Sequence, residues 1–353
     1  MTDAALSGLS DNLLFATVLL YAVSMLAFAG GQAARRTSRV AEQASTQVSS
    51  RQAAASRTRT MALAGGAPSV PEPRSESMLP AAKAGGAGPV EPPVKPGTPR
   101  ASRAGQAGLL MAGLGVVLHV GSVVTRGLAV DRVPWGNMYE FSSMVALCAV
   151  AIFLFLVLSG RVDLSLGAFV MLPAVLYLGL AGTVLYTAAG PLVPARDSYW
   201  IKIHVFAAIL SSGAFLLSGV VALLYLLRAR HDSQVVSGRV PRFPLSMGAS
   251  LPPAPVLDRV SYAVIAFAFP IWTFAIIAGA IWAESAWGRY WGWDPKETWS
   301  FITWVLYAGY LHARATAGYK GTKAAWIGVA AAVALIIDYY IVNIFVVGFH
   351  SYA

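Results

Sequence analysis

Four of the five histidines in this 353-residue chain, His119, His204, His312 and His350, fall within apolar stretches or at their ends. An ionisable group in such a stretch is costly and marks a functional candidate by default. Each one alone also has a plainer explanation, a hydrogen bond to a neighbouring helix. As a set they form two pairs. His204 and His350 lie at the ends of their stretches, level with a tryptophan-rich segment; His119 and His312 lie within theirs. Two imidazoles on opposite faces make a six-coordinate haem iron site. Zinc competes as the metal, because its imidazoles often have carboxylates behind them, and Glu284, Asp294 and Glu297 are close in sequence. The fifth histidine, His231, sits beside Arg230 and Asp232 and reads as solvated.

The tryptophan-rich segment runs WAESAWGRYWGWDPKETW from Trp282 to Trp299 and holds Trp282, Trp287, Trp291, Trp293 and Trp299, half of the ten tryptophans. An aromatic belt at the membrane surface needs one or two rings per helix end. A planar apolar ligand resting on the segment would account for five, and for Gly288 and Gly292, which let backbone approach closely. Composition alone leaves belt and platform open, and five indoles suit a porphyrin better than a small ion. Asp294 and Pro295 read as N-cap and first residue of a helix, with Glu297 completing a capping box. Lys296 and Arg289 would pair with haem propionates or with Glu297 and Asp294, or simply flank the membrane. Glu140, with Asn137 and Tyr139, reads as a cap or a binding element, and Asp338 has no role legible from sequence. No GxGxxG, Walker A, HExxH or GxSxG motif occurs. One cysteine, Cys148, makes neither an internal disulfide nor a CxxC pair.

The elements that must position these residues are membrane helices. Apolar residues make up 57% and charged residues 12% of the chain, with a mean hydropathy of +0.62. Those values exclude a soluble globular enzyme and a disordered protein. The fold class expected is an all-α polytopic membrane protein. Eight spans are expected, at about 12–30, 106–128, 138–159, 164–187, 199–227, 259–283, 298–317 and 324–348. The first lacks a basic leader and is read as a retained helix. Residues 31–105, rich in Ala, Ser, Pro, Gly and Arg and without an aromatic, are expected to be a disordered basic cytoplasmic linker between the first helix (1–30) and a membrane domain (106–353). Twenty of the 26 Lys and Arg fall on the side of that linker and six on the other. The positive-inside rule then places both termini and the tryptophan segment outside. The net charge of +10 follows from those loops and implies no nucleic-acid partner.

The block WGRYWGWDPKETW from Trp287 resembles the signature of the WWD haem-handling proteins of cytochrome c maturation, and among them the CcsA type (also named CcsB or ResC) of the System II pathway. PWGNMYE from Pro134, WIKIHV from Trp200, LDRVSY from Leu257 and NIFVVGFHSY from Asn343 extend the resemblance over roughly 106–353. Glu284 stands where the family often has Asn, and Phe349 to Ala353 depart from its usual Leu-His-Ser-Tyr-Gly. The resemblance implies that His204 and His350 ligate haem b at an outer site, and that His119 and His312 belong to an inner one. Trp282, Trp287, Trp291, Trp293, Asp294 and Trp299 would then form the WWD loop, 282–299, that holds the macrocycle. It further implies a haem lyase of the holocytochrome c synthase type in the plasma membrane. That enzyme would attach haem to CxxCH of apocytochrome c, together with a ResB-type membrane subunit and a thiol-reducing thioredoxin-like protein. The alternatives are a haem exporter without ligation activity and a structural membrane subunit.

Overall fold

The computed structural model describes residues 2–64, 102–190, 198–316 and 318–348, and all regular structure in them is helical. The helices are α1 (Asp3–Ala64), α2 (Arg103–Val130), α3 (Met138–Leu158), α4 (Gly167–Thr183), α5 (Tyr199–Val236), α6 (Ala254–Trp287), α7 (Pro295–Ala315), α8 (Thr322–Ile336) and α9 (Val342–Phe345). Seven segments are long and apolar enough to span a bilayer, and the chain is a multi-pass membrane protein. The eighth expected span, α7, has the length (21 residues), but Lys296, Glu297 and the His312–Arg314 turn lower its hydropathy.

Several boundaries differ from expectation. Helix α1 continues to Ala64, so residues 31–64 of the expected linker are helical. From Gln32 to Ala64 there is neither Pro nor Gly, and Ala, Arg and Gln favour a helix. Residues 65–101 lie outside the described residues. The chain divides into Met1–Ala33 with Ser102–Ala353, and a second unit, Ala34–Ala101. Helix α5 runs to Val236 and so absorbs His231. Helix α6 runs to Trp287, which reduces the connection to α7 to residues 288–294. The last span is not one regular helix: a π-helical turn, Ile337–Ile341, separates α8 from α9.

Within the first unit α5 is the central helix, packed most extensively on α6 and also on α3 and α8. Helices in lipid gain little from apolar burial against one another and rely on close backbone approach. Gly213 of α5 shows this, since a Cβ there would lie 2.8 Å from Cys148 Cβ and 2.9 Å from the Val145 carbonyl of α3. Hydroxyls join α1 to α2: Ser10 Oγ donates to the Ser122 carbonyl (2.8 Å) and Ser24 Oγ to that of Gly108 (2.7 Å). One end of the bundle collects the start of α3, the start of α5, the connection from α6 to α7, and α9.

Candidate functional site

Local backbone chemistry builds the tryptophan segment. Gly288 caps α6 in the left-handed region, φ 68°, and Trp293 adopts φ 58° just before α7 begins. Asp294 caps α7, with Pro295 at its first position and Glu297 closing the expected capping box. The Glu297 carboxylate accepts from Gly292 N (2.8 Å) and Asp294 N (3.1 Å), which ties the loop to the helix. A Cβ on Gly292 would fall 0.7 Å from the Arg289 guanidinium, so the chain's own arginine fills that space. Both glycines thus serve the loop's own folding, Gly288 through its positive φ and Gly292 through the room it leaves for Arg289. A Cβ on Gly348 would meet Asp294 Oδ1 at 2.7 Å, so the chain beyond α9 lies on this cap.

A cavity open to solvent lies beside the loop. Of the five tryptophans, Trp282 and Trp291 line it; Trp287, Trp293 and Trp299 are not among its walls. Trp282 is 3% exposed and meets Trp287 edge-on at 4.8 Å. Trp293, 65% exposed, contacts Trp291 (5.7 Å) and Phe301 (6.1 Å) on another face. The remaining aromatic walls are Trp135, Phe141, Trp272, Tyr290 and Tyr339. Trp135 belongs to the PWGNMYE block, but nothing in the sequence marked Trp272 or Phe141.

His204 of α5 lines the cavity. Its Nδ1 lies 2.7 Å from the Ala275 carbonyl of α6. A carbonyl only accepts, so Nδ1 carries the proton; in the neutral imidazole the lone pair is then on Nε2, the form in which imidazole binds a metal. His350 lies outside the described residues. His119 is fully buried, with Nε2 2.8 Å from Ser143 Oγ of α3 and Nδ1 3.4 Å from the Tyr21 hydroxyl of α1. His312 stands on an exposed face of α7, one turn from its far end. The structure thus sets His119 and His312 among different neighbours and does not bring them together. His231, expected to be solvated, instead packs over Gly248, with its side chain 12% exposed and Nδ1 3.0 Å from Asp232 Oδ1. Among the described residues no three His, Cys, Asp or Glu side chains gather as a metal set.

Polar groups of the cavity cluster on the π-helical turn. Lys296 Nζ donates to the Asp338 carbonyl (3.0 Å), stands 3.9 Å from Asp338 Oδ1 and lies 5.3 Å from the centre of the Tyr339 ring. Asp338 is 2% exposed, Asn343 5% and Glu297 7%. Asp338 Oδ1, Asn343 Oδ1 and Glu297 Oε1 accept no hydrogen bond among the described residues. Sequence reasoning found no role for Asp338; here it faces a cation and a cavity. Glu140 lies in a different cluster. It accepts from Arg126 Nε (3.0 Å), Arg132 NH1 (2.8 Å) and Gly136 N (2.8 Å), while Asn137 rather than Glu140 caps α3.

Fold and site define a multi-pass helical membrane protein with an aromatic cavity, a tautomer-fixed histidine and a buried polar cluster at one end. Residues 135–350 match the model of a family described as cytochrome c assembly protein. A protein named cytochrome c biogenesis protein CcsA from Gloeobacter violaceus is 33% identical over 277 residues, covering 66% of this chain and 82% of that one. Proteins of the same name are similar in Guillardia theta (34% identical; 69% and 83% covered) and Microcystis aeruginosa (32%; 69% and 86%). The chain belongs to the cytochrome c assembly protein family and is of the CcsA type. Its role is in cytochrome c maturation, work that handles haem.

Proposed function

We propose that the cavity presents haem b for thioether attachment to apocytochrome c. The observation that carries this reading is His204, held by Ala275 in the metal-binding tautomer on the wall of an aromatic cavity. The cavity is open to one side and lined mostly by apolar side chains, as a site for a planar apolar ligand needs. Indole and phenol walls suit its faces. His350 is the second axial ligand in this reading; Gly348, two residues earlier, already lies against Asp294. The haem is cargo, and the incoming CxxCH histidine displaces one of the two ligands.

The acceptor thiols come from the partner, because Cys148 is packed against Gly213. Each thioether forms as a cysteine S–H adds across a haem vinyl double bond, with no electron gained or lost. The protein's share of the rate is positional, since it holds the vinyl edge against the thiol. The ResB-type subunit and a thioredoxin-like reductant that keeps the thiols reduced complete the assembly. The excess of basic residues on the linker side supports a plasma-membrane orientation with both termini and the cavity outside. His119 and His312 belong to an earlier, inner stage of transit. For His119 to reach iron, Tyr21 or Ser143 must first release it.

The test is the visible spectrum of the purified protein together with cytochrome c maturation in a host lacking its own system. Wild type with its partner is expected to carry a bis-imidazole haem spectrum and to produce holocytochrome c. His204→Ala or His350→Ala is expected to lose both, with partial rescue by added imidazole. Normal maturation by the double variant overturns the ligand assignment. Haem binding without thioether product identifies an exporter.

A further inference from the structure

We infer that Gly279 of α6 is a positioning residue that sets the place of the His204 imidazole, and with it the geometry of the axial ligand. The inference rests on the haem-presentation reading and names a control element for it. Two observations converge on a single helical turn. The Ala275 carbonyl fixes the His204 ring by a 2.7 Å hydrogen bond at Nδ1. One turn on, a Cβ at position 279 would stand 2.7 Å from Nδ1 and 2.8 Å from Cε1 of the same ring. Contacts that short force a shift, and an aromatic ring cannot bend out of the way. It can only rotate about its side-chain torsions, and that rotation carries Nδ1 away from Ala275. Gly279 and Ala275 therefore form one seat: the carbonyl fixes the tautomer, and the missing Cβ fixes how closely the ring lies on α6. Glycine is otherwise a poor choice in the middle of a helix, by roughly 1 kcal/mol relative to alanine, and both Gly279 and His204 line the cavity.

The test is Gly279→Ala in the full chain with its partner. Alanine gains roughly 1 kcal/mol in helix propensity, which offsets part of the cost of moving the ring, so the variant is expected to fold. Its haem affinity, titrated by Soret absorbance, is expected to fall about tenfold, equivalent to about 1.4 kcal/mol. In haem-free protein labelled with ¹⁵N-histidine, the Nδ1–H tautomer signal of His204 is expected to be lost or shifted. In a His204→Gly background supplied with free imidazole, Gly279→Ala is expected to change nothing, because the loose ring seats itself. Unchanged affinity and tautomer in Gly279→Ala overturn the inference, and so does an equal loss in the His204→Gly background. A wild-type protein that binds no haem, or a His204→Ala variant that binds it normally, overturns the haem reading instead.

Discussion

Two buried charge clusters sit at the same end of the bundle, and they are built on opposite principles. In the first, Glu140 receives Arg126, Arg132 and the Gly136 amide, while Arg126 also donates to the Thr187 carbonyl and Arg132 to that of Gly190. In the second, Lys296 stands 3.9 Å from Asp338 Oδ1, and three acceptor oxygens of Asp338, Asn343 and Glu297 lack donors among the described residues. Removing a charge from water is repaid only by near-complete coordination. The first cluster meets that condition at the Glu140 carboxylate and falls short at Arg126 Nη1, which stands 3.6 Å from Asp11 Oδ1 without a hydrogen bond; it works as a clamp joining α2, α3 and the 184–190 connection. The second does not, and it lines the cavity. The Glu140 carboxylate is saturated by its neighbours, whereas the carboxylates of Asp338 and Glu297 keep unpaired oxygens beside open space.

That contrast can be broken by substitution. Glu140→Ala strands two guanidiniums at 3% and 11% exposure, and is expected to cost about 3–5 kcal/mol. Thermal unfolding in detergent reads it as a large fall in melting temperature, and a near-normal melt would show that the cluster is no clamp. Asp294→Ala removes a helix cap and is expected to cost about 1 kcal/mol, a smaller drop in the same assay. Replacing Lys296 by Met and Asp338 by Leu together removes an incompletely coordinated pair. Stability is expected to stay within about 1 kcal/mol while the haem titration weakens. A collapse as deep as that of Glu140→Ala would erase the distinction between the clusters. Deleting residues 40–100 is expected to change stability by less than about 0.5 kcal/mol and to leave maturation, measured as holocytochrome c yield, nearly intact.

Much of this was legible in the sequence because membrane helices follow local rules. Length and hydropathy located seven spans, and the Asp294–Glu297 spacing gave the capping box before any coordinate. Long-range placement was not legible. Nothing local says that Trp282 lines the cavity while Trp293 does not, because both stand in one aromatic run and the opposite walls come from α3, α5 and α8. Helix continuation past Arg36 was not legible because polarity reads as disorder, whereas an Ala-rich stretch free of Pro and Gly holds a helix without a core. Asp338 was opaque because its meaning comes from Lys296, 42 positions earlier in the chain.

The irregular turn at Ile337–Ile341 fits one surplus residue into the last span. Each α-helical residue advances the chain by about 100° around the axis. Excising one residue there would let an unbroken coil run from Thr322 onward, and everything downstream would swing by about that angle. Asn343 would leave the cavity wall and Gly348 would lose its seat on Asp294. Deleting the single codon of Ile337, which lines no part of the cavity, would thus dismantle the pocket by rotation alone.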